Sequence, residues 1–296
     1  MRLVEETTNT SLAVNYGVLA KMENNQPLPV YRTMDKSNQQ VAEYGSPFFG
    51  FMYSNTRVPQ KYILTLTHCG GICMYPCTLN QYIKTEEVFE EDCRLVMKDA
   101  TPINLENVEE NITPRTKIGK LVHLIRDPFS NVVSRFHAYA DFNSEYTNDE
   151  TGFQKYCSDM DSNQELSEME ASTNLISDEI KLLLKNVPCH AEFYRYIAWH
   201  NHVAELSWNW DYPTLNVFYE DLDSPQSRSQ QAVALANFLE TPIVDTNKGP
   251  EGLVVANYRN YFTQAHQAAI ETLTRTMAFT KTMALLERYF QPQAQN

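Results

Sequence analysis

The sequence predicts an α/β fold of three layers, a central parallel sheet flanked by helices. Three observations predict it. Apolar runs without alternation, such as residues 61–67 and 120–126, read as strands covered on both faces. Other segments repeat their apolar residues at helical spacing. The two kinds of segment alternate along the chain, as parallel strands joined by crossover helices do. The chain has 296 residues with no internal repeat and no linker, so a single domain over 1–296 is expected.

Residues 1–60 are rich in Asn, Gln and Thr, and are expected to wrap the domain, ending in turns around Gly45 and Pro59. Residues 61–67 form the first strand. A turn at Gly70 and Gly71 follows, then a helix to about Lys84. Residues 93–98 and 120–126 are the second and third strands. Residues 141–172 are acidic and read as an insertion or lid, by loops or broken helices. Helices are expected at 174–186 and 190–208, the second carrying Phe193, Tyr194, Tyr196, Trp199 and Trp208. A strand at 213–219 and a helix at 225–240 follow. Residues 263–289 read as one long helix with Ile270, Leu273 and Met277 on one face.

Hydrophobic residues, at 43%, are enough for a sizeable core. A net charge of −13 argues against a nucleic-acid partner, which would need a basic stripe. No apolar run reaches the length of a membrane span. The first residues have neither the basic nor the apolar region of a signal peptide. A cytoplasmic chain is expected, or one separated from a Golgi or membrane anchor. The six cysteines, Cys69, Cys73, Cys77, Cys93, Cys157 and Cys189, are not the dense framework of a small secreted domain. Mostly free thiols are expected. The exception is a bridge within 69–77, or from it to a neighbouring strand.

The most informative stretch is 120–136, a strand that stops at Arg126 and turns directly into a helix. Asp127 suits the N-cap and Pro128 the first helical position. Val132, Val133, Phe136 and Tyr139 form a face expected to pack on the sheet. Ser130 and Ser134, four residues apart, share another face. Arg126 and Ser134 can therefore converge on one anion, with orphan N–H donors at the helix N-terminus as a third contribution.

This joint resembles the 3′-phosphate-binding motif of sulfotransferases, which use 3′-phosphoadenosine-5′-phosphosulfate (PAPS) and release adenosine 3′,5′-bisphosphate (PAP). Three more segments fall in the family's order. The loop 67–73 resembles the one that cradles the 5′-phosphosulfate, with Gly70 in place and His68 where the family has lysine. Gly71, Ile72 and Cys73 replace its threonines and tryptophan. Residues 217–222 resemble the strand end whose tyrosine, here Tyr219, lies near the adenine. Lys248, Gly249 and Gly252 keep the spacing of the late loop that grips the 3′-phosphate, and Tyr258 stands in the place of a tryptophan.

The resemblance implies a P-loop-like fold and transfer of a sulfuryl group to a hydroxyl or amine of a small acceptor, without metal. It makes Arg126, Ser134, Tyr219, Lys248, Gly249 and the loop residues His68, Cys69, Gly70, Gly71, Ile72 and Cys73 contacts of the donor. His68 as imidazolium is the candidate for charge on the leaving phosphate. Asp99, with Lys98 beside it, is the candidate base. His137, His190, His200 and His202 are rivals, and His123, inside a strand, is expected to be buried and structural. Arg259 is a further candidate for the missing charge. A nucleotide hydrolase or kinase would need a loop lysine followed by Ser or Thr, which Gly70–Gly71 does not provide. A metal or redox site at His68, Cys69, Cys73 and Cys77, and a PAPS-binding protein without catalysis, are the other readings.

Overall fold

A computed structural model describes residues 12–14, 32–34, 40–42, 64–67, 69, 83–98, 109–112, 115–141, 143–163, 176–243 and 255–291. In chain order the elements are strands β1 (Leu12–Val14), β2 (Arg32–Met34), β3 (Gln40–Ala42) and β4 (Leu64–Leu66), then helix α1 (Glu86–Arg94). Next come β5 (Leu95–Lys98), β6 (Glu109–Ile112) and β7 (Leu121–Ile125). Helices α2 (Pro128–Ala140), α3 (Glu150–Asn163), α4 (Asp178–Leu184) and α5 (His190–Asn209) follow. The chain continues through β8 (Thr214–Phe218), α6 (Pro225–Phe238), α7 (Gln264–Met277) and α8 (Thr280–Leu286).

The chain groups into two compact units. One comprises residues 1–71, 87–124 and 212–254, and the other 72–86, 125–211 and 255–296. The first holds nearly all the strands. They pair as four two-stranded sheets: β1 with β4 in parallel, β2 with β3 and β5 with β6 antiparallel, and β7 beside β8. The architecture is thus mostly helical with small sheets, compatible with α/β. A single central sheet is not seen among the described residues. β7 departs from a strand covered on both faces, since His123 and Ile125 are buried but Leu124 is 51% exposed.

Each predicted strand after residue 60 has a counterpart, and α6 covers β8 through Val217, Leu235 and Leu239, flanked by Val122 and Leu215. Lys120, at the mouth of β7, donates to the carbonyl of Phe238 and, at 2.7 Å, to Glu240. Cys93 closes α1 instead of opening β5. Buried Glu90 bonds Arg94 (2.8 Å) and Arg115 (3.0 Å). Burial alone pushes the Glu90 carboxyl up, but hydrogen bonds and charge from both arginines outweigh it, and the net shift is downward.

The second unit is helical with an aromatic core. α5 buries residues around most of its circumference, including Phe193, Tyr194, Tyr196 and Ile197, as a central helix does. Phe129 meets Phe262 at 5.2 Å, and Phe153 meets Phe136 at 5.4 Å and Phe262 at 5.3 Å, mostly edge to face. The apolar face of α2 therefore packs on α3 and α5 in this unit. The acidic segment contributes a full helix, α3, whose first turn is capped by Asp149 through the Gly152 N–H at 2.8 Å. A Cβ on Gly152 would lie 1.7 Å from the Thr147 carbonyl oxygen, so glycine is required there.

The long terminal helix is broken. The buried amide of Asn201 on α5 donates to Met277 O (2.8 Å) and accepts from Phe279 N (2.9 Å), satisfying the backbone at the break between α7 and α8. None of the described helices is long and apolar enough to cross a membrane.

Among the described cysteines the expected exception, a bridge from the 69–77 segment to the next element, forms, and the expectation of free thiols fails at Cys157 and Cys189. Cys69 bonds Cys93, and Cys157 bonds Cys189. The second bridge ties α3 to the start of α5, where Cys189 takes a left-handed φ of 52°. That helix lacks a cap of its own. Asp161 supplies it from α3, accepting from Cys189 N at 2.8 Å and His190 N at 3.2 Å, with His190 Nδ1 at 2.9 Å.

Two outcomes test this fold. Replacing Cys157 and Cys189 together by alanine lowers stability by about 4 kcal/mol in denaturant titration, the loop-closure value for a bridge 32 residues apart. His123 is buried as expected, and burial lowers its pKa to about 4 against the opposing bond to Asn216. As pH falls, the unfolded chain takes up this proton first, near about pH 6.5, while the folded chain resists until about 4. Stability is therefore full above that window and declines through it, by up to about 3 kcal/mol for this group. The His123 ring resonance, assigned with His123→Gln, should hold its neutral position down to about pH 5.

Candidate functional site

The joint between β7 and α2 forms as the sequence requires. Asp127 is the N-cap, and its buried carboxylate accepts from Ser130 N at 2.8 Å, while Pro128 opens the helix. Asn131 N bonds the Asp127 carbonyl at 2.8 Å. These contacts reduce the donors that the helix N-terminus offers an anion. Pro128 has no N–H, and the chain's own carboxylate takes the Ser130 N–H, one of the donors a phosphate would use.

Arg259 neutralises Asp127, with 3.4 Å between guanidinium and carboxylate. It lies 4.4 Å over the Phe129 ring and donates to the Tyr289 carbonyl. Arg259 therefore belongs to the structure of the joint, and its charge is answered there. The candidate role of replacing the missing loop charge does not fit those contacts.

Arg126 ends the strand, half-buried, and its carbonyl accepts from Tyr196 OH at 2.5 Å. Ser134 is half-buried on the second turn of α2. Ser130 is buried, and its hydroxyl accepts from Tyr258 N at 3.4 Å. Ser130, Ser134 and His137 sit at i, i+4 and i+7, one stripe of the helix. The turn 258–261 covers that stripe: the rings of Tyr258 and Tyr261 lie 5.0 Å and 5.8 Å from the His137 imidazole. Asn148 Oδ1 meets His137 Nδ1 from the loop before α3. Asp149 is held below the usual carboxylate range by the Gly152 N–H, the Thr147 hydroxyl and, more weakly, His137. Burial, with Tyr258, Asp149 and Glu150 nearby, pushes the Tyr261 hydroxyl up.

The joint thus brings Arg126 and Ser134 into one unit. Tyr219 and Cys69 belong to the other. Tyr219 is half-buried and opens the turn after β8. Cys69 is buried with its sulfur bonded to Cys93, so it has only backbone to offer a ligand and no thiolate for a metal. Thr67 donates to the Cys93 carbonyl at 2.8 Å and fixes the same corner. Lys98 ends β5 opposite Glu109. His68, Gly70, Gly71, Ile72, Cys73, Asp99, Lys248 and Gly249 lie outside the described residues.

The rival histidines have structural surroundings. His200 is buried against Tyr196 at 4.4 Å and Trp199 at 5.0 Å, and His190 is paired with Asp161. Burial pulls His202 down, against Glu86 and Lys84. Phe193, Tyr194 and Tyr196 of α5 are buried in the core, Trp199 is half-buried, and Trp208 is 71% exposed beneath Lys281 Nζ. Among the described residues no group of His, Cys, Asp and Glu could hold a metal ion. Sequence reasoning noted Tyr258 only as a replacement and passed over Tyr261. The signal was present in their spacing of three and in His137 seven residues after Ser130.

Comparison of the chain with family models, with curated proteins and with solved structures finds no match.

The account of Arg259 is checked by stability. Arg259→Ala removes an ion-pair partner of the buried Asp127 carboxylate and should cost about 2 kcal/mol, as loss of a charged hydrogen bond does. Arg259→Ala in an Asp127→Asn background should cost clearly less, because no carboxylate is then there to lose its partner. Equal losses in both backgrounds would mean that the pair does not couple.

Proposed function

We propose that this chain is a PAPS-dependent sulfotransferase acting on a small acceptor. The observation that supports the reading is Arg126 at a strand end with half-buried Ser134 on the second turn of the helix that follows, in one unit of the fold. A guanidinium and a hydroxyl are the donor set a phosphate monoester needs. The helix N-terminus adds little, because Asp127 occupies it. In this reading a P-loop-like central sheet carries the joint.

In this reading Arg126 and Ser134 hold the 3′-phosphate, and Lys248, Gly249 and Tyr219 are the further donor contacts that the resemblance implies. The loop 68–73 supplies backbone donors to the 5′-phosphosulfate. In the reaction the acceptor oxygen or nitrogen bonds to sulfur as the bond from sulfur to the phosphate oxygen breaks. The acceptor proton goes to a base, Asp99 with Lys98 beside it. The leaving product is PAP, whose growing charge His68 meets as imidazolium. The metal reading loses ground, since the Cys69 sulfur is already committed.

The two cystine bridges favour an oxidising compartment over the cytoplasm, where thiols are kept reduced. This proposal replaces the cytoplasmic expectation.

The experiment is ligand binding. PAP should raise the melting temperature, as any ligand specific to the native state does. Arg126→Ala should weaken its binding by about 1.5–3 kcal/mol, and Ser134→Ala by less. PAP binding with no transfer to any acceptor would favour the binding protein without catalysis. No thermal shift at millimolar PAP would end the sulfotransferase reading.

A further inference from the structure

His137 is one of the polar groups in the second unit that keep a buried nitrogen without a hydrogen-bond partner, and the one on the Ser134 stripe of α2. Its Nδ1 meets Asn148 Oδ1, but its Nε2 is buried without a hydrogen-bond partner. A buried polar atom left unpaired costs about 1–3 kcal/mol, so each one calls for a reason. The surroundings suggest a ligand. The imidazole sits on the same stripe of α2 as Ser134, three residues further on, about one turn away. Tyr258 spans that stripe, with its backbone on Ser130 and its ring against His137. Ser134 lies between those two contacts. Tyr261 closes the far side at 5.8 Å.

We propose that His137 is a further ligand of the phosphate monoester held by Arg126 and Ser134, donating through Nε2, with Tyr258 covering the bound group. The inference rests on the donor-binding reading above and names a contact beyond it. Asn148 presents an oxygen, which only accepts, so Nδ1 carries a proton; in the proposed complex Nε2 is protonated as well and donates to the phosphate. A neighbouring phosphate dianion stabilises that form. Tyr258 and Tyr261 present ring faces or edges without competing charge. Asp149, which His137 influences, is turned to the Gly152 N–H and the Thr147 hydroxyl.

The test compares PAP with adenosine 5′-monophosphate, which lacks the 3′-phosphate, by calorimetric titration of the whole chain. Wild type should prefer PAP. His137→Phe keeps a ring against Tyr258 but removes the donor. It should lose about tenfold in affinity for PAP, the loss expected of one charged hydrogen bond, and none for the monophosphate. Unchanged PAP affinity in a folded His137→Phe would overturn the inference and leave the donor-binding reading standing. A wild type with no preference for PAP would overturn that reading, and this inference with it. Should His137→Phe fail to fold, the wild-type His137 ring resonance decides: it should move with PAP and not with the monophosphate. A resonance that answers both ligands alike, or neither, contradicts the assignment.

Discussion

The helical unit depends on the carboxylate of Asp127. It caps α2 through Ser130 N, and it binds Arg259, which in turn stacks on Phe129 and reaches the Tyr289 carbonyl. One buried charge thus ties the start of α2 to the 258–261 turn and to the end of the chain. Removing Arg259 takes an ion-pair partner from the charge, whereas removing both is milder, the usual asymmetry of a desolvated pair. The same tie sets Tyr258 above Ser130 and beside His137. The geometry of the candidate site is therefore inherited from a structural ion pair and not built separately.

The joint was legible in the sequence because its signals are local. A strand run, Asp-Pro at the cap and apolar residues at helical spacing all act within a few residues of one another. α5 and α6 were legible for the same reason. The break after Met277 was not, since the group that makes it possible, Asn201, comes from another helix 76 residues away. The cap of α5 is equally remote, lying on Asp161. The face of α2 was read correctly as buried, yet apolar spacing cannot say whether helices or a sheet will cover it. Here phenylalanines and tyrosines of α3 and α5 do.

The cysteines show the limit of counting. Six in 296 residues is too sparse to suggest a disulfide framework. Pairing depends on proximity, and both bridges join positions brought together by helix ends: Cys93 at the end of α1, Cys189 at the start of α5. Each closes a long loop, the case in which a cross-link restricts the unfolded chain most. A fold with that reinforcement can tolerate a strained left-handed residue at Cys189 and a helix start without its own cap.

Function turns on whether the joint takes a phosphate. Pro128 lacks an N–H and the Ser130 N–H is bonded to Asp127, so the proposed site relies on the charge of Arg126, the hydroxyl of Ser134 and the imidazole of His137 more than on the helix N-terminus. The most direct measurement is a crystal structure of the chain with PAP bound. The account predicts the 3′-phosphate within hydrogen-bond distance of the Arg126 guanidinium and the Ser134 hydroxyl, beneath Tyr258. A nucleotide bound away from this joint, with Ser134 still covered by the 258–261 turn, would contradict it.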